Sequence, residues 1–274
     1  MRNHILTLIL AVTAAPSLAG DNGTALPKRP EEIKFGALQF DAPEAAKYRF
    51  TLKDGTPVYM APSHEFPLIN LSLTFKGGSN MDPADMPGLA GMTGRMIREG
   101  GTTTKKPGEV DETFDFMATQ AGAGCGDTTS SANMNCLASN FDASLALFVD
   151  MLRNPAFDTA RLETNRGQML EGMKQRNDDA ARIQGREWSA LMYGREHFEA
   201  RQPTEKSVKA ITPEAMKAFH AKIFHPGNMI IAVSGDFEPK AMQAKLEAAF
   251  DGWTKGEKQA DPVAPTATLQ PGVY

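Results

Sequence analysis

Metal, acid–base and nucleophile chemistry each need particular side chains at fixed spacings, and this chain has few of them. Five histidines and two cysteines supply the soft metal donors in 274 residues. His220 and His225 are five apart. Two ligands on one helix face want a spacing of three or four, so this pair does not read as a metal site. His64 and His197 stand alone and read as structural or surface histidines. No Gly-rich phosphate loop ending in Lys-Ser/Thr occurs, which argues against an NTPase. Gly122, Gly124 and Gly126 lack the strand-to-helix setting of a dinucleotide fingerprint. A Gly-x-Ser-x-Gly nucleophile elbow is also missing. Cys125 and Cys136 are open to forming a disulfide if the chain is exported and the strand register faces them. Two small buried thiols are the other reading.

The elements that must position such residues belong to a folded domain. The hydrophobic set is 41% and charged residues are 23%, enough for a sizeable core. A net charge of −4 argues against a nucleic-acid partner. Fifteen methionines are an excess, read first as gap-filling core and second as an adaptable binding surface.

Met1-Arg2-Asn3-His4, an apolar run from Ile5 to Val12 and a small-residue stretch ending Ser17-Leu18-Ala19-Gly20 follow the plan of a secretory signal peptide over residues 1–19. The apolar run falls short of the roughly 20 residues a membrane span needs, and no later segment is apolar enough. The expected chain is therefore exported, periplasmic or secreted, with no membrane span. Residues 20–45 read as a flexible lead-in, 46–255 as the domain, and 256–271 as a linker carrying Pro262, Pro265 and Pro271. Residues 272–274 read as the start of a second domain, with a frayed tail as the alternative.

Within 46–255, Tyr48–Leu52 and Val58–Met60 around Asp54-Gly55 predict a hairpin. Leu68–Phe75 alternates as a strand, and Ala121–Leu137 reads as two strands around Asp127-Thr128. Met229–Val233 is a further strand. Helices are expected at Pro87–Arg98 with Asp85 as cap, Val110–Thr119, Ala143–Leu152, Thr159–Lys174, Ala181–Leu191, Pro213–Phe224 with Thr212 as cap, and Glu238–Phe250. Gly88, Gly91 and Gly94 weaken the first of these helices. This mixture of hairpins and helices predicts an α+β fold, an antiparallel sheet with helices packed on it.

Several segments also carry a resemblance. Pro87-Gly88-Leu89-Ala90 leads into a helix that closes at Gly101-Thr102. Leu152-Arg153-Asn154-Pro155-Ala156-Phe157, Arg176-Asn177-Asp178-Asp179, His225-Pro226-Gly227-Asn228-Met229, Val233-Ser234-Gly235-Asp236-Phe237 and Phe250-Asp251-Gly252-Trp253 follow in unbroken order. This series resembles the insulinase/pitrilysin family of zinc metallopeptidases, which includes the mitochondrial processing peptidases. The resemblance covers about Tyr48 to Trp253 and implies the first of a pair of similar α+β domains. Pro271-Gly272-Val273-Tyr274 resembles the first strand of the second.

The resemblance fails at the metal. The family's H-x-x-E-H helix puts two zinc-binding histidines four apart, with a glutamate between them as general base. Here the histidine positions are Gly91 and Arg95 and the base position is Gly94. The family's remaining ligand, a glutamate on the long downstream helix, falls at Gly172, and the adjacent Glu171 should face elsewhere. A guanidinium has no lone pair for zinc and repels the cation. No zinc or other cofactor is expected. The resemblance implies a non-catalytic chain that pairs with an active H-x-x-E-H homologue and helps bind or enclose a peptide or protein substrate. Arg95 would contact substrate or partner, or form an internal salt bridge, for example to Glu171 or Glu163. A scaffold protein without a proteolytic role is the alternative. A peptidase whose catalytic site lies on another domain or chain is the third reading.

Overall fold

The computed structural model describes residues 42–262, together with residues 29, 33 and 40. The expected signal peptide at 1–19, most of the lead-in, and residues 263–274 lie outside the described residues.

After a short helix α1 (Ala45–Tyr48), the expected hairpin forms: β1 (Arg49–Thr51) lies antiparallel to β2 (Pro57–Pro62). Gly55 takes φ +89° in the turn, the left-handed region that glycine enters without steric cost. β3 (Leu68–Lys76) follows. Its alternation sends Ile69, Leu71, Leu73 and Phe75 into the core and leaves Asn70 and Thr74 exposed. Then come α2 (Leu89–Glu99), α3 (Pro107–Phe116), β4 (Gln120–Cys125), β5 (Thr129–Leu137), α4 (Phe141–Arg153), α5 (Thr159–Lys174) and α6 (Ala180–Tyr193). The chain continues through α7 (Glu205–Ala210), α8 (Pro213–Ile223), β6 (Met229–Gly235) and α9 (Pro239–Phe250). The Thr212 side chain caps α8 by accepting from the Ala215 amide.

Among the described residues the strands form one six-stranded sheet in the order β1-β2-β6-β3-β5-β4. The fold is α+β, but the sheet is not wholly antiparallel as expected, because β2 and β6 pair in parallel. Such a pair needs a crossover, here made by nearly the whole intervening chain, and no local pattern reports it. Buried side chains of the strands, α2, α4, α8 and α9 meet in one core.

The register decides against the cysteine bridge. Cys125 on β4 lies opposite Ser130 on β5, six positions from Cys136 along that strand. At the usual strand rise that is about 20 Å. A disulfide needs Cα atoms within about 7 Å. Both thiols are free.

One strained residue helps to set the two helices that matter below. Phe157 is fully buried at φ +53°, a left-handed conformation that costs a bulky residue about 1–2 kcal/mol. The amides on either side hold it there. Ala156 donates to the Gly101 carbonyl at 3.0 Å and Asp158 to the Gly100 carbonyl at 3.1 Å. These bonds fasten the C-terminal end of α2 to the start of α5.

Candidate functional site

The three positions at which the resemblance would place the zinc motif lie on α2, and the start of α2 is built by a residue that sequence reading passed over. Both carboxylate oxygens of Asp82 accept backbone hydrogen bonds, from Gly88 at 2.8 Å and Ala90 at 2.7 Å. They satisfy two of the amides that a helix N-terminus leaves unpaired. Asp85, the expected cap, is exposed instead. The helix begins at Leu89, two residues later than expected, and its first amides bond to Asp82 while Asp85 faces solvent. Burial pushes the Asp82 carboxyl above its usual value, opposed by the two amides and by the Arg201 charge. Gly88 itself has φ +101°, so the Pro-Gly step is a conformational requirement.

The helix then presents its three motif positions very differently. A Cβ added at Gly91 would meet nothing within 4 Å. At Gly94 it would lie 2.6 Å from the Cys125 amide nitrogen and 2.8 Å from two backbone carbons of Gly124. The glycine lets α2 lie directly on β4. Arg95 is half-exposed and turns toward α5. Its Nε donates to Glu99 Oε1 at 3.0 Å and its Nη2 to Gln168 Oε1 at 2.7 Å. The other Glu99 oxygen accepts from Asn165 Nδ2 at 2.9 Å. The ion pair of Arg95 is therefore internal, but neither residue named as an example makes it. Glu171 pairs with Lys174 and Glu163 with Arg166. Gly172 lies seven residues from Asn165 and four from Gln168, on the same face of α5, and a Cβ there would also meet open space.

Between α2, α5, the end of β4 and the segment 198–203 lies a cavity of about 500 Å³. Gly91, Arg95, Cys125, Gln168, Met169 and Phe198 are among its walls. Met92 and Met169 also line it, while Met96 is wholly core. Burial pushes the Cys125 thiol up to about 11, so it is protonated and a poor nucleophile near neutral pH.

A zinc ion does not fit these residues. Three of the four positions offer no donor atom and the fourth offers a cation. Among the described residues no group of three His, Cys, Asp or Glu side chains is placed to hold a metal ion. The histidines have other partners. His220 is buried, with Nε2 2.8 Å from the Leu152 carbonyl. His225 Nε2 is 3.2 Å from the Lys222 carbonyl, and its Nδ1 accepts from Gly256. His64 pairs with Asp236 at 2.6 Å, and His197 stacks on Tyr193.

The family model described as Insulinase (Peptidase family M16) matches residues 60–200. The chain belongs to this family. A second M16 model, described as the peptidase M16 inactive domain, matches residues 210–274. Among curated relatives is the non-peptidase homolog YmxG of Helicobacter pylori, 22% identical over 222 residues, covering 77% of this chain and 49% of the relative. An uncharacterized zinc protease of Mycobacterium leprae is 23% identical over 198 residues, covering 71% and 44%. The chain thus spans about half the length of these curated relatives. A crystal structure of a peptidase M16 inactive domain from Pseudomonas fluorescens superposes with a TM-score of 0.73 at 26% identity, over 80% of this chain and 53% of that one. The first half of the periplasmic protease PqqL of Escherichia coli matches with a TM-score of 0.70 at 20% identity, over 81% and 49%, a likeness of fold.

Proposed function

We propose that this M16 chain is an exported, non-catalytic homologue that holds no zinc, pairs with an active H-x-x-E-H subunit and helps bind or enclose a peptide substrate. One observation carries the reading. A cavity of about 500 Å³ lies between α2 and α5, beside Gly91 and Arg95, where the resemblance would place zinc ligands. A domain kept only as a scaffold has no need of an open, Met- and Phe-lined cleft at that place. Support for the pairing comes from the family resemblance, and support for export from the N-terminal pattern of charge, apolar run and small residues.

The test has two parts. Purified protein is expected to carry no stoichiometric zinc and to cleave no peptide; one tightly held zinc per chain sinks the proposal. Affinity capture from the periplasm of the source cell is expected to recover an H-x-x-E-H homologue. Its repeated absence favours a scaffold role.

A further inference from the structure

We propose that the centre is barred from reactivation at the base position, Gly94, while its three ligand positions stay sterically open. This rests on the non-catalytic reading and adds a cause for it. Loss of donor atoms alone is reversible by substitution. Loss of the room for a side chain is not.

The four positions divide cleanly. Added Cβ atoms at Gly91 and Gly172 meet nothing within 4 Å. Position 95 already carries a long side chain that crosses to Gln168 on α5. Gly94 is the exception, with backbone atoms of β4 at 2.6 and 2.8 Å from where its Cβ would stand. Real Cβ atoms do not approach backbone that closely, and packed interiors yield by only tenths of an ångström. A flexible side chain in the way could turn aside, but this obstacle is main chain.

Nor is that main chain free to retreat. The Cys125–Ser130 pair closes the β4–β5 ladder at this end. Just beyond, the Gly126 amide donates to the Thr129 carbonyl at 2.8 Å, and the Gly126 carbonyl accepts from Ser79 at 2.9 Å. The Asp127 carbonyl accepts from Asn80, also at 2.9 Å. A glutamate at position 94 would therefore have to break the ladder or these turn bonds. One turn earlier on α2, the missing side chain of Gly91 adds to the cavity instead.

The experiment begins with single Cβ atoms in the intact chain. G91A removes a helix glycine in open space, so its melting temperature is expected to hold or rise by a few degrees. G94A is expected to lower it by several degrees. Equal stability of the two variants overturns the proposal. Next, G91H/R95H/G172E is compared with the same triple variant carrying G94E, using zinc content and melting temperature with and without a chelator. The triple variant is expected to fold and gain chelator-sensitive zinc. Adding G94E is expected to lower its melting temperature. A folded triple variant that takes up no zinc overturns the claim that the ligand positions are open. A quadruple variant as stable as the triple overturns the claim about Gly94. Zinc or peptidase activity in the unaltered chain would refute the non-catalytic reading instead, so the two failures are distinguishable.

Discussion

The Arg95 guanidinium of α2 reaches Gln168 of α5 across 2.7 Å, joining two helices that the family resemblance would join through a metal. Glu99 extends the join by accepting from both Arg95 and Asn165. A half-exposed network of this kind is worth a modest amount, since solvent screens it and side-chain entropy opposes it. R95M, Q168L and their double variant form a cycle that isolates the contact. Urea unfolding is expected to give a coupling of about 0.5–1.5 kcal/mol. Strict additivity would mean that the contact holds nothing.

The Asp82 cap predicts a larger effect from a smaller change. Asp82→Ala strips the Gly88 and Ala90 amides of their acceptor at the buried start of α2. Cap removal typically costs about 0.5–2 kcal/mol, with the upper part of that range expected where buried donors are orphaned. Asp85→Ala, at an exposed position, should change stability by less than about 0.5 kcal/mol. A midpoint shift of similar size in the two variants would contradict the assignment of the cap.

The thiols give a prediction at the level of covalent structure. The strand register keeps Cys125 and Cys136 apart, so protein produced in an oxidising compartment should retain two free thiols by mass spectrometry. Burial raises both thiol pKa values, so labelling by a thiol reagent at pH 8 should be slow until denaturant is added. An intramolecular bridge in folded protein would contradict the β4–β5 pairing.

What the sequence revealed of this arrangement follows the range of each signal. Local periodicity was enough for α5, whose bounds match the expected Thr159–Lys174, for the alternation along β3, and for the two strands β4 and β5. It was not enough for the parallel β2–β6 pair, whose partners are far apart in the chain. The short helix α7 was missed because six residues offer too little periodicity, although its Thr204–Ser207 capping box was there to be read. At the site, residue types alone exposed the absent donors. They could not separate Gly91, which faces open space, from Gly94, which faces β4, because one glycine reads like another until its neighbours are known. The Arg95 partner was likewise undecidable, since Glu99 at i+4 and carboxylates on α5 were all within reach of a long side chain.

The buried histidines set an acid limit on the fold. Burial holds His220 below its usual value of 6.5, outweighing the hydrogen bond to the Leu152 carbonyl that favours its charged form. His225 is lowered for the same reason, opposed by the Lys222 and Glu257 backbone. In each case the folded chain binds the proton less well than the unfolded chain does. Their contribution to stability is therefore complete above 6.5 and is lost as pH falls from there through the folded values. Exposed His64 acts in the opposite sense, because Asp236 raises it, so its contribution is present at low pH and fades as pH rises. Replacing His220 by glutamine keeps a donor for the Leu152 carbonyl and removes the titration. The melting temperature of the unaltered chain should fall between pH 7.5 and 5, and H220Q should fall less over that interval. Parallel profiles for the two proteins would show that His220 does not limit stability in acid.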